Sequence, residues 1–438
     1  MSQIARPILK IREVIKNLKL DARTEKVPQA VLKRFVHCVD NITDIRLESL
    51  VDYPLPYVLL VGFLAILSGA NTWVEMNTFT EAYKKKLNGI LPNYKEIGIP
   101  SHDTYRRVFG IVDPQELQKA VTAFLVSEVE QMKKALGINE KGPEQYCIDG
   151  KEEKGTGRKY NTPEKIRNLQ TLHCYNTSNG ICLYNIPINK KTNEIPTAQE
   201  LLKEMELKNC IVTFDAMNTQ RDTVAIIKES HGDYVGGLKG NHETLHNEVA
   251  KYFTEEKLKY IERKGKNYRM TTEKAHNQIE KRSYYMTTDV KWFKEIDQWA
   301  NLKAFICYDL ETENLVTGKK TKERRYYIAS PTDIELCADA IRGHWGVENQ
   351  LHWHLDYTFE EDDNTTMDKN AFNNFSILSK MALTLLKLIQ PAYKHKIGLK
   401  SIRKDFGWDL TKQLIMMLSL LDEDMIAEAM QKPVSKKK

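Results

Sequence analysis

The stretch from Gln145 to Leu238 constrains the fold most. Short apolar runs cover Gln145 to Ile148, Leu169 to Tyr175, Ile181 to Ile188, Cys210 to Phe214 and Tyr234 to Leu238. Helical stretches, Thr197 to Met205 and Gln220 to Glu229, separate the last three. The order strand, strand, strand, helix, strand, helix, strand predicts a mixed sheet with helices on its faces, an α/β core. Thr177-Ser178-Asn179-Gly180 carries the Asn-Gly pair of a tight hairpin. Pro196 stands where it can open the first helix.

On either side the pattern differs. Residues 1 to about 140 read as helical, with Ile8 to Leu20, Tyr57 to Leu67 and Asp113 to Leu136 as the clearest segments. Tyr57 to Leu67 is wholly apolar but too short to span a bilayer, so a buried core helix is expected and no membrane partner. Ser101 is a good N-cap for a short helix bearing Arg106 and Arg107. That helix suits either a helix-turn-helix laid along DNA or a bundle corner with exposed arginines. Beyond Asn241 the alternation stops. Arg282 to Thr287, Lys303 to Leu310 and Arg324 to Ala329 read as strands between Lys-rich loops, a β-rich insertion at about 242–328. Helix resumes after Pro331, with Thr332 and Glu335 spaced as a capping box. Ala371 to Ile389 and Leu410 to Leu421 look like packing helices, and Lys436-Lys437-Lys438 closes a basic tail.

Charge narrows the partners only slightly: 65 Lys and Arg against 59 Asp and Glu give +6, compatible with a polyanion without requiring one. The seven cysteines form no C-x-x-C pair, which argues against a disulfide framework or zinc ribbon and for reduced thiols in a cytoplasmic protein.

The candidate chemistry lies in three acids. Asp149 and Asp215 follow apolar strands, at the carboxyl ends where open α/β sheets place ligands. Glu348 projects from a helix on which His344, Glu348 and His352 fall on one line and Val347, Leu351 and Leu355 on a neighbouring apolar one. Either Asp alone reads more simply as a turn residue. Three converging carboxylates, however, need a cation to stay ionised together. Oxygen ligands suit Mg²⁺ or Mn²⁺, and two such ions roughly 3.5–4 Å apart can drive phosphodiester hydrolysis and strand transfer.

Five runs, in order, carry a resemblance. They are Ile148-Asp149-Gly150-Lys151, Lys191-Thr192-Asn193-Glu194-Ile195-Pro196, and Val212-Thr213-Phe214-Asp215-Ala216-Met217-Asn218-Thr219-Gln220, followed by Tyr234-Val235-Gly236-Gly237-Leu238-Lys239-Gly240-Asn241 and the stretch His344 to Trp353. From about residue 40 to 390 the chain closely resembles the H-repeat-associated family of bacterial insertion-sequence DDE transposases. The resemblance implies an RNase H-like catalytic core over 141–390 with the β-rich insertion, a helical N-terminal domain over 1–140, and a C-terminal helix and basic tail over 391–438. It implies that Asp149, Asp215 and Glu348 are the catalytic triad and bind Mg²⁺ or Mn²⁺, as two ions. Implied partners are double-stranded DNA with terminal inverted repeats, target DNA, and further copies of the chain in a dimer or higher assembly. A cytoplasmic location follows, at the nucleoid when DNA is bound. In the wider clan the Glu-bearing helix also carries Arg and Lys; here His344 and Leu355 stand at those sites. Lys151, Lys239, Asn241, Arg342 and His344, with Arg106 and Arg107, are the candidate DNA contacts.

Two rival readings remain. His242-Glu243-Thr244-Leu245-His246 matches H-E-x-x-H, the zinc metallopeptidase motif, with Glu262 or Glu273 as third ligand. The other rival is a DNA-binding derivative of a transposase that has lost catalysis.

Overall fold

Thirteen residues of nearly unbroken apolar sequence form α2 (Leu55–Leu67), and burial of twelve of them shows what the helical part is built around. The computed structural model describes residue 14 and residues 27–138, 142–157, 167–188, 193–275, 277–393 and 397–431. Most of the stretch Ile8 to Leu20 and the basic tail lie outside these. Around α2 pack α1 (Gln29–Val39), α3 (Trp73–Ile90), α4 (His102–Ile111) and α5 (Pro114–Ala135). Ser101 caps α4 as expected, its hydroxyl accepting the Thr104 N–H at 3.2 Å. Among the described residues no helix is long and apolar enough to cross a membrane.

The strands follow the expected order. β1 (Glu144–Glu153), β2 (Leu169–Asn176) and β3 (Ile181–Pro187) pair antiparallel, and Gly180 takes φ 75° in the hairpin between the last two. After α6 (Glu194–Glu204), β4 (Cys210–Phe214) pairs parallel with β1. After α7 (Arg221–Glu229), β5 (Asp233–Leu238) pairs parallel with β4. Helix α6 starts at Glu194, ahead of the expected Thr197, so Pro196 lies within its first turn.

The insertion is more than strands. It begins with two helices, α8 (Glu243–Tyr252) and α9 (Glu255–Lys264), before β6 (Tyr268–Ala275), β7 (Gln278–Thr287), β8 (Ala304–Asn314) and β9 (Lys320–Ala329). Strand β6 left no apolar signature because, as an edge strand, it is largely solvated. Nor does the insertion stand apart. β9 pairs antiparallel with β5, from Val235↔Ala329 to Leu238↔Tyr326, and makes one sheet ordered β3-β2-β1-β4-β5-β9-β8-β7-β6.

A long helical rod then crosses the sheet: α10 (Ile334–Gly346), a π-turn (Val347–His352) and α11 (Trp353–Thr358). Its N-cap is Asp333, whose carboxylate accepts the N–H groups of Glu335 at 2.8 Å and Leu336 at 3.3 Å; Thr332 is not the cap. Gly343 lets the rod press onto β1, since any side chain there would meet Gln145. The next residue, half-buried His344, bonds the Thr213 hydroxyl of β4 at 3.1 Å. Helices α12 (Lys369–Ile389), α13 (Leu399–Trp408), α14 (Leu410–Ser419) and α15 (Glu423–Gln431) finish the described chain. They share one apolar core with α1 to α5, so the helices before residue 140 and after 390 pack together. α6 to α9 cover the sheet's other face in a second core, and α10 closes a third against β4, β5 and β7 to β9.

Two buried groups make testable contributions. Arg403, 3% exposed, donates to the carbonyls of Ile66 at 2.8 Å, Thr358 at 2.8 Å and Ala70 at 3.0 Å, joining α13 to the ends of α2 and α11. Arg403→Met removes this donor from all three carbonyls, of which that of Ile66 keeps the Gly69 N–H, and should cost about 3–5 kcal/mol, read as a lower urea midpoint. Burial pushes the His344 imidazole down to about 4, with Asp215 opposing weakly, so it is neutral in the folded protein at pH 7. The unfolded chain takes up this proton near the usual imidazole value of about 6.5, and the folded chain only near 4. His344 therefore contributes stability above pH ~6.5 that is lost as pH falls toward 4, by roughly 3 kcal/mol in all. Unfolding free energies measured between pH 7 and 5 should fall less steeply in His344→Asn than in the wild type.

Candidate active site

The parallel ladder between β1 and β4 ends at Ile148↔Phe214. The next residue on each strand is an acid, Asp149 and Asp215. β1 does not stop there, because β2 stays paired with it as far as Glu153↔Leu169. Asp149 is thus inside a strand rather than beyond its end, a correction to the sequence expectation. The two acids stand at a fork where β4 leaves the sheet and β1 continues. Asp215 is held by the turn that follows, its Oδ1 accepting the Asn218 N–H at 3.0 Å.

Glu348 reaches the fork from the π-turn. Val347, Leu351 and Leu355 are each at most 1% exposed and anchor the rod, as their line on the helix predicts. The imidazoles do not flank Glu348 symmetrically, because His344 turns away to Thr213. His352 Nδ1 lies 3.2 Å from Glu348 Oε2 and 3.8 Å from Asp149 Oδ2. Asp149, Glu348 and His352 each offer a ligand atom within 4.8 Å of the others, the one such group of three among the described residues. Asp215 is outside that tight group but acts on it electrostatically. Burial pushes the Asp149 carboxyl up to about 6; His352 opposes this, and Asp215, Glu194 and Glu348 add to it. Glu348, by contrast, is held below the usual carboxylate range by its hydrogen bond to His352.

Residues without a sequence-assigned role complete the site. Glu194, at the start of α6, lies against Gly150, where any side chain would collide with its carboxylate. It accepts the Asn218 Nδ2–H at 2.7 Å. Burial raises its pKa, the Asn218 bond opposes this and Asp215 adds to it. His173, fully buried on β2, lies behind His352, with Nδ1 to Nε2 2.8 Å apart. Glu194 was visible in the sequence as part of a family run, and His173 as an imidazole inside an apolar strand. Neither signal names a role.

The candidate DNA contacts divide. Lys239 and Asn241 are exposed just past β5, and Asn241 Nδ2 donates to the carbonyl of Ala216, next to Asp215, at 2.5 Å. Arg342 is exposed and pairs with Glu273 at 3.2 Å. Arg106 and Arg107 are exposed on α4. Lys151 is not a surface group. Its ammonium is buried against Glu361 at 2.6 Å, Glu153 at 2.7 Å and Asp356 at 2.9 Å, so its charge is compensated within the protein. His344, neutral and bonded inward, offers no positive charge to phosphate. In the H-E-x-x-H stretch, the His242 ring faces the carbonyl of Thr219, and His246 packs edge-on against Tyr326 at 5.4 Å. No third ligand joins them among the described residues.

Known sequences resemble this chain over most of its length. Residues 140–385 match the family described as Transposase DDE domain, and residues 36–125 match the associated DDE_Tnp_1-associated family. The YbfL protein of Escherichia coli (strain K12) is 30% identical over 364 residues, covering 81% of this chain and 90% of YbfL. The "H repeat-associated putative transposase YhhI" of the same strain is 29% identical over 364 residues, covering 81% of this chain and 90% of YhhI. The chain belongs to the H-repeat-associated family of DDE transposases, DNA transposases that use divalent metal.

Proposed function

We propose that Asp149, Asp215 and Glu348 are the ligands through which this transposase cuts and rejoins the DNA of insertion-sequence ends. The observation that carries the reading is the fork. Two acids follow the last paired residues of parallel strands, and a third meets Asp149 from the π-turn. The residues fit a divalent cation. Burial raises the Asp149 carboxyl to about 6 and the carboxylates of Asp215, Glu194 and Glu348 add to this, a crowding that opposite charge relieves. Mg²⁺ or Mn²⁺, as two ions, matches an oxygen-rich site open to solvent at Glu348, 60% exposed. When bound, such ions activate a water or 3′-hydroxyl and stabilise the leaving oxygen of the phosphodiester.

The chain's own residues orient the ligands. Asn218 fixes Asp215 through its backbone N–H and Glu194 through its side-chain amide. His352 holds Glu348 toward Asp149. Lys239 and Asn241, exposed just past β5, and Arg342, exposed on α10 beside Glu273, would take DNA phosphates, positioning the duplex without reading its sequence. Arg106 and Arg107, exposed on α4, would be the DNA contacts of the helical part. The substrates in this reading are terminal inverted repeats and target DNA, with two or more copies of the chain joining two ends.

Asp215→Asn should lower Mg²⁺-dependent end cleavage by on the order of 10³-fold or more while binding of an end-containing duplex in EDTA stays within about twofold. Near-normal cleavage by that variant would sink the triad assignment. Lys239→Ala should weaken duplex binding similarly for all sequences and reduce the slope of log K against log salt by roughly one, measured by fluorescence anisotropy from low to physiological salt. An unchanged slope would remove Lys239 from the interface.

A further inference from the structure

The three-carboxylate reading leaves His352 without a chemical task, although its side chain is 5% exposed and directed at the acids. Its hydrogen-bond neighbours are compatible with a proton on its Nε2. Behind it, the Nε2 of His173 faces two acceptors, the Asn185 Oδ1 at 2.9 Å and the Thr171 hydroxyl oxygen at 3.3 Å. The Thr171 hydrogen is committed elsewhere, donated to Glu153 Oε1 at 2.9 Å. With the Asn185 oxygen facing it, His173 carries its proton on Nε2 and presents a bare Nδ1. That nitrogen accepts the Nε2–H of His352 at 2.8 Å. With that N–H on Nε2, a cation would meet a lone pair on the Nδ1 of His352, which faces Glu348 at 3.2 Å and Asp149 at 3.8 Å and bonds Glu348 when it carries a proton instead. Asp149, Glu348 and His352 then offer three ligand atoms within 4.8 Å of one another, a set that a cation lying among them satisfies. Metal-bound imidazoles are ordinarily oriented this way, the second nitrogen donating to a fixed acceptor behind.

We infer that His352 is a nitrogen ligand of the catalytic metal, forming a mixed donor set with Asp149 and Glu348 and oriented by a buried His173–Asn185 relay. This rests on the metal reading above and goes beyond its oxygen-only ligands. A nitrogen donor favours Mn²⁺ over Mg²⁺ more than carboxylates alone would. A proton on Nδ1 would satisfy the same contacts without making His352 a ligand, and the test separates the two.

The full chain is loaded with Mn²⁺ and examined by pulsed EPR, as unlabelled protein and as protein grown on ¹⁵N-histidine. The expected result is a ¹⁴N coupling in the unlabelled protein, replaced by a ¹⁵N coupling on labelling. In His352→Gln the coupling should be lost, with Mn²⁺ affinity reduced on the order of tenfold and the Mn²⁺-over-Mg²⁺ preference reduced with it. Should that variant not fold, the labelled wild type decides by itself. Bound Mn²⁺ without histidine coupling, lost in Asp149→Asn, would overturn the His352 ligand and leave the carboxylate site standing. Persistence of the coupling in His352→Gln would assign it to another histidine and overturn the inference. Failure of the wild type to bind Mn²⁺ at all would overturn both readings.

Discussion

The buried ammonium of Lys151 is the interaction on which the geometry of the site depends. It sits two residues beyond Asp149 on β1 and is held by Glu153 of the same strand, Glu361 beyond α11 and Asp356 of α11. Lys380 of α12 pairs with Glu361 from the other side at 3.8 Å. Burial works against the Lys151 charge, and Glu361 and Glu153 outweigh it, so its pKa is held above the usual value. Removing one member of such a network leaves an uncompensated buried charge, which costs far more than the intact network contributes. The strand bearing Asp149 and the rod bearing Glu348 are thereby tied in one register, and two charges can be placed close together without drifting apart.

Two local departures from regular structure do the rest. At the fork, β4 ends while β2 keeps β1 extended, which opens space beside Asp149 without freeing its backbone. In the rod, hydrogen bonds from i to i+5 replace the α-helical pattern over Val347–His352. The π-turn breaks the straight line of His344, Glu348 and His352, so that one imidazole is left on β4 and the other on the acids. Beyond it the exposed Trp353 stacks on Tyr357 at 4.6 Å.

The insertion shows how an addition can be absorbed by the sheet it interrupts. β9 takes the open edge of β5, and the solvated edge moves outward to β6. The long sheet gives α10 a continuous apolar bed, its third core, which fixes the direction in which the rod enters the site. The N-terminal and C-terminal helices support the same rod from behind, through Val347, Leu351, Leu355 and Phe359.

Much of this was legible in the residues alone. Strand order, the Asn179-Gly180 hairpin, the Ser101 cap and the apolar line Val347, Leu351, Leu355 depend on local spacing and backbone preference, which any window of sequence carries. The three acids were legible as candidates because apolar runs ended beside them and the family runs enclosed them. Charge pairing was not legible. Lys151 reads as a surface lysine until Glu361 arrives from two hundred residues away, and His344 reads as a phosphate contact until Thr213 meets it. Strand β6 and the extent of β1 past Asp149 also escaped, because each is decided by a neighbouring strand rather than by its own pattern. The sequence by itself determined most of the elements and the acids that could do chemistry, because both depend on local spacing. Only the tertiary structure decided which of those side chains are charged, paired or neutral, because burial and opposite charge come from residues far away along the chain.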